Sequence, residues 1–95
     1  MPNDEELLQQ LTDLFKEAGS AHHQAHIETD GFHPDWPIWY AEFLHERLTG
    51  LLRAKFTRSE LVYLLVLVDK QLSMQAPGAY WPAYYASFFL ERYRK

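Results

Sequence analysis

The chain has 95 residues, 47% hydrophobic and 23% charged, with nine basic residues, thirteen acidic residues and no cysteine. This length supports one core and hence one domain, residues 1–95. The net charge of −4 argues against general nucleic-acid binding, and the missing thiols exclude a disulfide framework, a cysteine nucleophile and thiolate metal sites.

The absence of cysteine also fits a reducing compartment. The N-terminus carries Asp4, Glu5 and Glu6, where a signal peptide needs basic residues. The longest apolar run, Leu61 to Val68, is far short of the ~20 residues that span a bilayer. These features predict a cytoplasmic protein without a membrane segment.

The first helix is expected over about residues 4–28. Asn3 is a suitable N-cap, and the three acids after it suit a helix N-terminus. Leu7, Leu11, Leu14, Phe15 and Ala18 recur on one helical face. The phase continues through His22 and Ala25, so Gly19 is read as an interior glycine tolerated at a cost of about 1 kcal/mol. Thr29 to Pro34, with Asp30-Gly31, is loop chemistry.

The second helix is expected over about 36–54, with Asp35 as N-cap and Pro37 in the first turn. Thr57-Arg58-Ser59-Glu60 matches a capping box and starts a third helix over about 58–74. That helix is apolar almost all round, which predicts the most buried position. Ala76-Pro77-Gly78 is a turn, and Trp81-Pro82 opens a fourth helix over about 81–94.

Trp36-Pro37-Ile38-Trp39-Tyr40-Ala41 aligns without a gap on Trp81-Pro82-Ala83-Tyr84-Tyr85-Ala86, and the match extends to Arg47 and Arg92. Upstream, Glu6-Leu7 and Leu11 match Glu60-Leu61 and Leu65. The chain therefore reads as two similar helical hairpins, about 3–54 and 57–95, the first with a longer connection. Packed face to face, they predict an all-α four-helix arrangement with a pseudo-two-fold internal repeat. The tryptophans are expected to wedge between the hairpins. Residues 1–50 carry net −8 and residues 51–95 net +4. Such asymmetry suits halves that pack against each other or solvated faces, or else faces that direct self-association or capture of a charged partner.

His22-His23, then Asp30-Gly31, then Asp35 through Leu44 resemble a motif of small bacterial all-helical proteins, and of helical tails appended to other domains. The motif is a His-His pair followed by a W-x-x-W-Y-A helix, and the likeness covers roughly residues 18–48. The resemblance implies an all-helical fold and no established activity. It draws attention to His22, His23, Asp35, Trp36, Trp39 and Tyr40 without giving them roles. The second half, with Tyr80-Trp81-Pro82, lacks the histidines and the capping acid.

His22, His23, His26 and His33 lie within twelve residues. His22 and His26, four apart on a helix, have metal-chelating spacing, and Glu28, Asp30 and Asp35 supply oxygen ligands for zinc, nickel or iron. The competing reading makes His22 a hydrogen-bonded core histidine and His33 a loop residue. Glu42-x-x-His45 has di-iron spacing, but the repeat places Ser87 and Leu90 where a second motif is needed. His23 or His26 beside Glu28 or Asp30 offers a general base. The four glycines stand isolated and no serine has a nucleophile-elbow context. Arg53, Lys55 and Arg58 with Arg92, Arg94 and Lys95 form either a basic patch or a complement to helix C-termini.

Two function classes follow. The first is a non-catalytic interaction module that forms a homodimer or docks on another protein. Trp36, Trp39, Tyr40, Trp81, Tyr84 and Tyr85 supply the aromatic surface. The alternative is a metal- or ligand-binding protein built on His22, His23, His26 and His33.

Overall fold

The computed structural model describes residues 3–26 and 34–93. It holds four helices: α1 (Asp4–Ala25), α2 (Trp36–Leu52), α3 (Arg58–Gln75) and α4 (Trp81–Tyr93). No strand occurs among the described residues. The fold is all-α, as the periodicity predicts.

The helix ends follow from local chemistry. Asn3 caps α1, its side-chain oxygen accepting from the Glu6 N–H at 2.8 Å. The helix stops at His26, whose N–H reaches the carbonyls of His22 and His23. The expected last turn, 27–28, and the Thr29–His33 loop lie outside the described residues. The capping box at α3 is complete. Glu60 N–H donates to Thr57 Oγ1 at 3.0 Å, and Thr57 N–H to Glu60 Oε1 at 2.9 Å.

Two end-of-helix expectations need correction. Asp35 occupies the N-cap position of α2, but its side chain makes no capping bond. Its ψ of 24° is not the extended value of a side-chain cap, and Pro37 removes one first-turn donor. The Asp35 carbonyl instead accepts from the Ile38 and Trp39 N–H groups. The end of α2 comes two residues before the expected 54. Arg53 turns left-handed at φ 52°, and its N–H closes on Thr49.

The helices follow one another in a ring. α1 lies most extensively along α4, α2 along α3, and α1 meets α2; α3 and α4 touch least of these neighbours. The core between them holds Leu11, Phe15 and Ala18 from α1 and Leu44 and Leu48 from α2. Leu61, Leu65 and Val68 of α3 and Ala86 and Phe89 of α4 complete it. Phe15 is central, with its ring 5.6 Å from those of both Tyr85 and Phe89.

Gly19 has a packing role. A Cβ built on it would lie 2.7 Å from the Trp81 ring. The missing side chain makes the pit into which the indole packs, which offsets the glycine's poor helix propensity.

The third helix is not the most buried, contrary to expectation. Leu61, Leu64, Leu65 and Val68 face inward, but Tyr63 is 65% and Met74 78% exposed, and Val66 is exposed too. A helix in a ring covers only the sides that meet its neighbours, so an all-round apolar helix keeps an apolar outer face.

Candidate functional site

The predicted histidine cluster divides. His22 is buried on the apolar face of α1, its ring 5.1 Å from those of both Trp39 and Tyr40. His26 shares that face, as the spacing predicts, and stacks on His22 at 4.5 Å with 29° between the rings. Ring nitrogens donate and ligate in the ring plane, so near-parallel stacked rings do not aim at one ion. Nδ1 of His26 lies 3.1 Å from the His22 carbonyl oxygen. His23 is exposed and lines a cleft toward α4 instead. Among the described residues, no three His, Asp or Glu side chains come together as a metal site requires. His33, Glu28 and Asp30 lie outside the described residues.

The six nominated aromatics occupy different settings. Tyr40 and Tyr85 are core residues. Trp39 packs between α1 and α2, against His22 and stacked on Phe43 at 5.4 Å. Trp36 stands edge-on to Tyr40 at 5.6 Å. Trp81 reaches across to Tyr40 at 6.3 Å and over Gly19, so it wedges between the first two helices and α4. Tyr84 lines an apolar groove beside α3. The large apolar side chains most exposed to solvent are others: Ile38, Tyr63, Val66, Met74 and Tyr80. The all-round apolar composition of α3 was the available signal for Tyr63 and Val66.

His45, considered above for a metal, ties the α2–α3 connection instead. Its Nε2 lies 2.6 Å from the Phe56 carbonyl oxygen. A carbonyl only accepts, so Nε2 carries the proton. Nδ1 is buried without a hydrogen-bond partner among the described residues.

The two motif tyrosines differ in their polar ends. The Tyr85 hydroxyl donates to Asp69 Oδ1 at 3.0 Å, bridging α4 to α3. Burial, the Asp69 charge and that hydrogen bond push the Tyr85 hydroxyl far above its ordinary range. Burial alone raises that of Tyr40, whose hydroxyl has no hydrogen-bond partner among the described residues.

Two surface features stand out. A groove of about 680 Å³ lies along α4 beside Gln71 of α3, walled by Tyr80, Tyr84 and Phe88, with Glu91 and Arg92 at one end. A second hollow, of about 570 Å³ on α2, combines Ile38, Trp39 and Phe43 with Asp35 and Glu42. The exposed ion pairs Arg47–Glu17 and Arg58–Glu42, both at 3.5 Å, add little stability. No described helix is long and apolar enough to cross a membrane. The chain matches no protein-family model, no curated protein and no solved structure.

Proposed function

We propose that this protein is a non-catalytic, self-associating interaction module whose contact surface is the outer side of α3 and α4. The observation that carries the reading is the apolar surface left there. Tyr63, Val66 and Met74 run along α3 at helical spacing with Lys70 among them, and Tyr80 lines a separate apolar groove with Tyr84 and Phe88. The occupant is a second copy of the chain. The α3–α4 half carries net +4 and the α1–α2 half net −8, so the two halves of separate copies attract. The α1–α2 half offers its own apolar patch, Ile38 with Trp39 and Phe43, rimmed by Asp35 and Glu42. A cytoplasmic site for this association accords with the lack of thiols.

Several polar side chains inside the fold are engaged in bonds that hold the helices and their connections together, which supports a structural scaffold for binding. Tyr85 donates to Asp69, His45 to the Phe56 carbonyl, and Thr49 back to its own helix. The two W-P-x-[WY]-Y-A helix starts are the remnant of a duplicated hairpin in this reading. Their matched positions support it: Tyr40 and Tyr85, Ala41 and Ala86, and Leu44 and Phe89 are all buried.

Sedimentation velocity over a wide concentration range tests the proposal. The wild type associates reversibly, and added salt weakens the association. Val66→Glu and Met74→Glu, both on exposed positions, leave monomers that fold normally. A wild type that stays monomeric at every concentration overturns self-association, and unchanged association in both variants overturns the surface.

A further inference from the structure

A different part of the molecule carries a second, independent reading. Where α4 begins, it meets the middle of α1 and leaves a cleft of about 490 Å³. Lys16, Ser20 and His23 line it from α1, Tyr40 from α2 and Trp81 from α4.

Three observations give this cleft a chemistry. First, Tyr40 is 8% exposed, and its hydroxyl has no partner among the described residues. That hydroxyl sits 3.8 Å from the place a Cβ on Gly19 would take, in the wall of the cleft. The hydroxyl opens onto the cleft, where water or a bound acceptor takes its hydrogen bond. Second, no carboxylate lines it among the described residues, although α1 is rich in acids. Lys16 is the single lysine or arginine before Arg47, and it makes no ion pair among the described residues. Third, α4 starts at Trp81 in the cleft wall, which brings the positive end of its dipole to the same place.

We infer that the cleft is a binding site for a small organic anion, a carboxylate on a flat apolar body. The carboxylate accepts from the Tyr40 hydroxyl and Lys16, with Ser20 and His23 at its edge. The flat body lies against the Trp81 indole. The volume suits a ligand of this size. Gly19 serves the site as well as the fold, because its bare backbone lets the indole and the phenol converge.

The test is a ¹H–¹⁵N NMR titration of the whole protein with benzoate, and with benzamide as its neutral counterpart. Benzoate gives saturable shifts at Gly19, Ser20 and the Trp81 indole N–H, and benzamide does not. Lys16→Gln and Tyr40→Phe each weaken benzoate binding about tenfold, the loss of one charge-assisted hydrogen bond. Lys16 is exposed, so its variant reports on the site even where Tyr40→Phe disturbs packing. Absence of saturable shifts, equal response to benzamide, or unchanged affinity in Lys16→Gln overturns the assignment. Monomeric protein that still binds benzoate leaves this site intact and removes only self-association.

Discussion

The starts of α2 and α4 carry the same motif and end in different chemistry. Trp36 stands edge-on to Tyr40 at 5.6 Å, and Trp81 to Tyr85 at 5.1 Å. The alanines that follow, Ala41 and Ala86, are both buried. The local motif therefore sets helix start, ring geometry and burial alike. The partners come from elsewhere. Asp69 on α3 receives the Tyr85 hydroxyl, whereas the Tyr40 hydroxyl has no such partner among the described residues. In the register that aligns Leu61 with Leu7, Asp69 falls on Phe15, a core ring that offers no acceptor. One copy of the motif is closed by an internal bond, and the other keeps a polar group at a surface cleft.

The comparison breaks first in the core. Leu44 and Phe89 hold the same motif position, and both are fully buried. Phe89 packs its ring against both Phe15 and Phe88. Phe89→Ala is expected to cost about 4 kcal/mol and Leu44→Ala about 3 kcal/mol, each the lost transfer energy plus a cavity. Urea unfolding measures both. A larger loss at Leu44 would move the centre of the core to α2.

The next contrast concerns the tryptophans. The Trp81 ring sits over Gly19. Gly19→Ala adds a methyl group 2.7 Å from that ring, and its helix-propensity gain of about 1 kcal/mol does not offset the overpacking. The expected net loss is about 1–2 kcal/mol, smaller in a Trp81→Phe background because the two sites are coupled. Gly50 meets nothing within 4 Å, so Gly50→Ala is the control and is expected to raise the melting temperature.

The tyrosines separate by pH. Both hydroxyls are raised above the ordinary value of 10.0. Their contribution to stability is thus fully present below pH 10, where the unfolded tyrosine is also protonated. Above that, the unfolded state loses protons that the folded state keeps, and stability falls as pH rises. Tyr85→Phe and Tyr40→Phe each flatten this alkaline decline, Tyr85→Phe more. At pH 7, Tyr85→Phe costs about 1 kcal/mol because Asp69 loses its donor, and Tyr40→Phe is close to neutral. Denaturant unfolding from neutral to alkaline pH reads all three, and an equal cost at pH 7 would mean that Tyr40 has an acceptor after all.

Local rules were enough for the helices, their number and most of their ends. Of the face that periodicity predicts for α1, Leu11, Leu14, Phe15, Ala18 and His22 are buried, Leu7 is half-buried and Ala25 is exposed. What lay beyond reach were partners distant in the chain. Gly19 reads as an isolated weak point until Trp81 is seen above it. His45, in a Glu-x-x-His that lacks its second motif, has no evident role until the Phe56 carbonyl is found beside it. The exposure of Tyr63 and Val66 was open to inference, since apolar composition on every side of α3 exceeds what two neighbours cover. The cleft was half legible. Lys16, Ser20 and His23 form a polar stripe on α1 at helical spacing, but only the fold brings Tyr40 and Trp81 to it.

The smallest contrast lies between the N-caps of α2 and α3, and it isolates side-chain capping from charge. Thr57 Oγ1 accepts from the Glu60 N–H and the Thr57 N–H donates to the Glu60 carboxylate, so Thr57→Ala is expected to cost about 1 kcal/mol. Asp35 holds the same structural position, yet its side chain caps nothing. What remains to it is attraction to the helix dipole, worth about 0.3 kcal/mol at an exposed, salt-screened site. Asp35→Ala is expected to lose about that amount, and less at high salt, while the loss in Thr57→Ala is insensitive to salt. Equal, salt-independent losses in thermal unfolding would show that Asp35 forms a capping bond in solution. In that case Pro37 would not be what denies the Asp35 side chain its donor.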